Sequence, residues 1–183
     1  MAYGVLIESM IQAKNIDALN RSAISAIDVA GAGLVALTAP TVQGEDRWTA
    51  TAPTTGALGD LWIAYNPTYR ITKVGKKEFV GLSADDRDYT NIAGKTFDVF
   101  KPKKGDEIVI TIDAIDETGV NAVAGDILES KNGQTLFTRV VGNTGATSGS
   151  TAFKIEWKGS IDFPQAGIGV EKVVAFKAVC VQE

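Results

Sequence analysis

The sequence predicts a mainly β protein, and three observations predict it. Short apolar or alternating runs recur from Gly33 onward, separated by clusters of Gly, Pro, Asn, Asp and Thr. Two of those runs, Glu107–Asp113 and Phe153–Lys158, alternate cleanly, and Asn132-Gly133 is a favoured hairpin pair between two further runs. The predicted architecture is an antiparallel β-barrel or sandwich body with an extended N-terminal arm. Residues 1–30 form the arm, 31–96 a β-rich region and 97–183 the barrel or sandwich domain. The middle region reads equally as a second small lobe or as part of the same sheet system.

Taken in order, Val5 to Ala30 shows neither strand alternation nor a strong helical stripe, although Ile16, Leu19 and Ala23 could share one face of a short helix. It ends at Gly31-Ala32-Gly33. Candidate strands follow at Leu34–Thr38, Arg47–Ala50, Leu61–Tyr65, Phe79–Leu82 and Phe97–Phe100. In Glu107–Asp113, Ile108, Ile110 and Ile112 share one face, the pattern of a half-buried strand. Phe153, Ile155 and Trp157 do the same in the next, with Lys154, Glu156 and Lys158 outward. Asp126–Glu129 and Leu136–Val141 flank the Asn132-Gly133 turn. Val173–Val181 is apolar on both faces and reads as a central strand. Between them, residues 142–151 hold only small side chains and read as an exposed loop.

The chain has 183 residues, 45% hydrophobic, enough for one good core or two small ones in tandem. Its sharpest compositional feature is the absence of histidine together with a single cysteine, Cys180. Triads that need an imidazole base and zinc sites built from Cys and His are thereby excluded, and no intrachain disulfide can form. Cys180, between Val179 and Val181, reads as a small buried hydrophobe. A formal charge of −4 argues against a nucleic-acid partner. No run approaches the roughly 20 apolar residues of a membrane span, and the first residues lack a basic n-region, so a chain that folds in the cytosol is expected.

Motifs that carry chemistry are weak. Gly94-Lys95-Thr96 ends like a phosphate-binding loop, but Tyr89 stands where the motif needs glycine and a strand follows instead of a helix. Asp85-Asp86-Arg87-Asp88 lacks the spacing of a calcium loop and reads as a solvated turn, with Arg87 beside a neighbouring Asp. Asp113, Asp116 and Glu117 read likewise, with Asp116–Gly119 as a turn. The lysines at 73, 76 and 77 and at 101, 103 and 104 form small basic clusters, and Lys101-Pro-Lys-Lys-Gly105 reads as a solvated loop. Trp48, Trp62 and Trp157 lie on separate candidate strands, which favours core packing or an interface over a sugar-binding platform. No catalytic, cofactor-binding or metal-binding residue is assigned, and no cofactor is expected.

Three segments together resemble the small head-decoration, or cement, proteins of tailed phages. They are Gly59-Asp-Leu-Trp-Ile-Ala-Tyr-Asn-Pro-Thr-Tyr69; Asp85–Phe100 running into Lys104–Thr111; and Ala124-Gly-Asp-Ile-Leu-Glu129 with the Asn132-Gly133 hairpin. They span about half the chain, and the likeness lies in segment order and turn chemistry. It implies a non-enzymatic virion protein, assembled in the host cytoplasm, that sits on the capsid exterior and stabilises the mature lattice. Its implied partners are the major capsid protein and other copies of itself, with no nucleic acid and no membrane. Leu6, Ile7, Met10 and Ile11 are the candidate capsid contacts. A tail-tube or head-completion subunit, which would self-assemble into rings, and a carbohydrate- or surface-binding β module are the alternatives.

Overall fold

The structure, a computed structural model, describes residues 2–12, 19–40, 44, 46–68, 70–74, 77–81, 83, 85–142, 145–165 and 169–182. Ile16, Tyr69 and Lys76 lie outside the described residues. Twelve strands are seen among those described: β1 (Leu19–Ser25), β2 (Leu34–Thr38), β3 (Arg47–Thr51), β4 (Leu61–Ala64), β5 (Ile71–Val74), β6 (Lys77–Val80), β7 (Thr96–Lys101), β8 (Glu107–Thr111), β9 (Ile127–Glu129), β10 (Thr138–Val140), β11 (Ala152–Gln165) and β12 (Gly169–Gln182). The mainly β class is what the alternating and apolar runs predict.

Five strands close into a barrel in the order β1-β3-β2-β4-β7, with β7 pairing back onto β1. The β1–β3 pair is parallel and the rest are antiparallel. Successive side chains alternate faces, so β4 feeds two cores. Trp62 and Ala64 fill the barrel interior with Val35, Phe97 and Val99, whereas Leu61 and Ile63 point outward with Leu34 and Phe100. That outward face is covered by a second sheet, order β10-β9-β11-β12-β8, which contributes Ile108, Ile110, Leu128, Phe153, Ile155, Phe176, Ala178 and Cys180. Each such large aliphatic or aromatic side chain is worth about 1.5–3 kcal/mol when fully buried. Cys180 is 1% exposed, as a small hydrophobe should be. A separate hairpin pairs β5 with β6.

Four sequence expectations are corrected. First, the closed barrel is built from residues 19–101, not 97–183. Phe97 and Val99 of β7 complete its interior, while Phe100 joins the core shared with the second sheet. Second, the described parts of the expected N-terminal arm are built into the body. Residues 19–25 are barrel strand β1, and residues 5–12 run along β8. Third, Trp157 does not point inward. The β11–β12 register shifts between Ile155 and Trp157, and this bulge carries Trp157 to the opposite face, leaving it 48% exposed. Lys158 takes the inward face, with its ammonium 5.6 Å from the Phe176 ring centroid. Fourth, β8 is buried on both faces, Val109 at 3% and Thr111 at 0%, and it ends before Ile112, which begins a 3₁₀ turn.

Turn chemistry follows the sequence. Gly133 (φ 77°) and Gly94 (φ 78°) adopt the left-handed conformation that the Asn-Gly and Gly-Lys turns require. Asp116 accepts from the Thr118 backbone N–H at 3.0 Å and from the Thr138 hydroxyl at 2.8 Å, closing its turn.

Candidate functional site

The four candidate contact residues lie on a segment that behaves as an added edge strand. Leu6 bridges Ile110 and Gln12 bridges Glu107. The Ile7 N–H donates to the Val109 carbonyl at 2.8 Å, and Thr111 N–H donates to the Val5 carbonyl at 3.0 Å. Asn66 completes the seam, because its side chain accepts from Leu6 N–H at 2.9 Å and donates to the Leu6 carbonyl at 2.5 Å. Leu6 is therefore 0% exposed in the shared core and is no surface contact. Ile11 packs against that core, and Ile7 is half-buried against Val5, Phe163 and Val173. Only Met10, at the end of a 3₁₀ turn over Glu8–Met10, projects, at 52% exposure.

Beside this segment lies a groove of about 490 Å³, lined among others by Ile7, Glu8, Pro67, Thr68, Arg70 and Phe163. Its lining carries one ion pair, and a second set adjoins it. Arg70 pairs with Asp86 at 2.5 Å, and Arg87 pairs with Asp85 at 2.6 Å and with Glu171 of β12. Here the solvated-turn expectation is corrected: Asp85 and Arg87 are 6% and 8% exposed. Burial is tolerated because the guanidinium finds carboxylates on two sides and lies 5.3 Å from the Phe163 ring centroid. The sequence did place an Asp beside Arg87. It carried no signal for Glu171, which lies 84 residues away.

The electrostatics follow from that packing. Burial pushes the Asp85 carboxyl up, but the hydrogen bonds from Arg87 outweigh it and hold Asp85 below the usual carboxylate range. The hydrogen bonds that Arg87 donates to Asp85 hold it above the ordinary arginine value. Burial also pushes Asp113 up, opposed by Arg87. One cation thus ties the 85–88 turn to the β11–β12 hairpin. The Arg87 carbonyl accepts from Tyr3 N–H at 2.8 Å, so the N-terminal segment is tied to the same point.

Three exposed apolar side chains lie on segments that are tied to this region through their neighbours. Met10 follows groove-lining Glu8 and Ser9; Val80, 77% exposed, precedes Gly81, whose N–H donates to the Arg70 carbonyl at 2.9 Å; and Val170, 65% exposed, precedes Glu171.

A second depression, about 500 Å³, opens at the barrel rim among Asn20, Arg21, Ser22, Asp46, Trp48 and Asp98. The Arg21 guanidinium stacks 3.6 Å from the Trp48 ring centroid and 5.2 Å from that of Trp62. It covers the face on which a sugar ring would stack. Trp62 is 6% exposed inside the barrel and Trp157 lies on the other sheet, so the three tryptophans form no common platform. Among the described residues no group of three or more His, Cys, Asp or Glu is placed to hold a metal ion. No family model, curated protein or solved structure matches this chain.

Proposed function

We propose that this chain is a non-enzymatic virion structural protein that binds the outer surface of a tailed-phage capsid and stabilises the mature head. The observation that carries the reading is the set of large apolar side chains left exposed, Met10, Val80 and Val170 among them. Support comes also from the resemblance of residues 59–69, 85–111 and 124–133 to decoration proteins, and from carboxylates, Asp85, Asp116 and Asp126, that are engaged in structural hydrogen bonds. A binder selective for the mature lattice stabilises it by mass action, and many copies add their modest contributions. A rigid body with preformed apolar contacts loses little entropy on docking.

The test is to mix the chain with undecorated capsids of its phage and image the particles for added surface density. The wild type should decorate, and the triple variant Met10→Asp, Val80→Asp, Val170→Asp should not, while keeping a wild-type circular dichroism spectrum. Undiminished decoration by the folded triple variant would sink this reading. Removing residues 1–30 would not be a clean test, because it takes away barrel strand β1 and the Leu6 core contact.

A further inference from the structure

Strand β11 has two neighbours at its start and one for the rest of its length. β9 pairs with it over Ala152–Lys154, and Gly125 N–H and the Asp126 carbonyl hold Ile155 at 2.8 and 2.9 Å. Among the described residues, only β12 pairs with it from residue 156 to 165, down to Gln165 opposite Gly169. Among the described residues, no other backbone bond reaches this stretch. Glu156, Trp157, Lys158, Ser160 and Asp162 are exposed along it. Such an edge presents a row of N–H and C=O groups ready for another strand.

We propose that the open edge of β11 docks a second copy of this chain, strand on strand, about a two-fold axis through Ser160. The sequence of the edge is self-complementary about that residue. A two-fold axis perpendicular to the sheet keeps each face on its own side, so facing residues come from the same face. Centred on Ser160, Lys158 faces Asp162 of the second copy, Trp157 faces Phe163, and Gly159 faces Ile161, each twice over. Opposite charges and aromatic pairs directly across an antiparallel ladder are the pairings that stabilise it. Moving the axis to Gly159 sets Glu156 against Asp162. Moving it to Ile161 sets Lys158 against Pro164, which has no N–H to donate.

The exposed tryptophan fits the same axis. A Cβ on Gly159 would fall 1.8 Å from the Trp157 ring, so the ring lies over that glycine, on the face where Ile161 of the second copy would meet it. Lys158 spends one of its three donors on the Ala122 carbonyl at 2.9 Å and keeps two for Asp162. The contact is isologous and closes on itself, and Pro164 ends the ladder, so the product is a dimer and not a fibre.

Sedimentation velocity across a concentration series, with the fold checked by circular dichroism, tests this without any capsid. Its outcome is therefore separate from that of the capsid reading. The wild type should dimerise, and Lys158→Glu and Asp162→Lys should each be monomeric, because each sets like charges face to face. An equimolar mixture of the two variants should restore a heterodimer, since every introduced charge then meets its opposite. Ser160→Cys should form a disulfide-linked dimer, the two Cα atoms being about 4.5–5.5 Å apart across the axis. It also tests the axis if either charge variant fails to fold. A wild type that stays monomeric, single variants that dimerise as the wild type does, a mixture that stays monomeric, or a Ser160→Cys chain that does not cross-link would each overturn the proposal.

Discussion

The second sheet treats its β8 edge and its β11 edge in opposite ways. Along β8 the chain adds its own residues 5–12, burying Leu6 completely and satisfying its backbone with Asn66. Along β11 nothing described is added beyond Ile155, and the exposed positions there alternate charge with small or aromatic groups and end at Pro164. The difference is one of side-chain chemistry. A segment such as Val5-Leu6 has apolar side chains that gain by covering an edge within the molecule. An edge that carries Lys158 and Asp162 is kept soluble when bare and accepts only a partner with matching charges.

Leu6→Ala on the closed edge should produce the largest effect. It opens a cavity in the core shared by barrel and sheet, and unfolding in urea should show a loss of about 3–5 kcal/mol. A loss under about 1 kcal/mol would show that the segment rests on β8 without being part of the core.

Arg87→Met comes next, because it leaves Asp85 buried without its cation. A loss of about 3 kcal/mol is expected at neutral pH, the low end for a broken buried pair, since Glu171 keeps 42% of its side chain in solvent. The pH dependence has a definite sign. The folded Asp85 value is depressed, so its contribution is present above the unfolded carboxylate value near 4 and is lost as pH falls through the lower folded value. The gap between wild type and Arg87→Met should therefore narrow on acidification, measured by thermal unfolding from pH 7 to pH 2. A gap that widens in acid would mean that the ion pair does not brace the hairpin.

Trp157→Ser on the open edge should have the smallest effect on the monomer, under about 1 kcal/mol, because the ring is 48% exposed. A loss comparable to that of Leu6→Ala would erase the contrast between the two edges.

How much of this was legible varies by element. β2 appears at Leu34–Thr38 as read, and β3, β4, β7 and β9 within one or two residues at each end, because each is a compact apolar or alternating run bounded by turn formers. β1 was missed. Leu19-Asn-Arg-Ser-Ala-Ile-Ser25 has no continuous apolar face, and it is a strand because it bridges β3 and β7 and so closes the barrel. β11 was read as ending at Lys158, since Gly159, Ser160 and Pro164 are poor strand formers. Pairing with β12 carries it to Gln165 regardless. Of the candidate contacts, Met10 projects whereas Leu6 lies inside, because an apolar residue near a terminus does not announce which sheet edge it will cover.

By itself the sequence determined the β class, most strand positions, the turns at Gly94, Asp116 and Gly133, and the absence of imidazole chemistry. All of these depend on neighbours within a few residues or on composition alone. Tertiary structure alone decided which strands close the barrel, which face Trp157 takes after its bulge, that Arg87 is buried against Glu171, and which edge stays open. Each of those depends on residues tens of positions apart meeting across a sheet, where a one-residue shift in register reverses inside and outside.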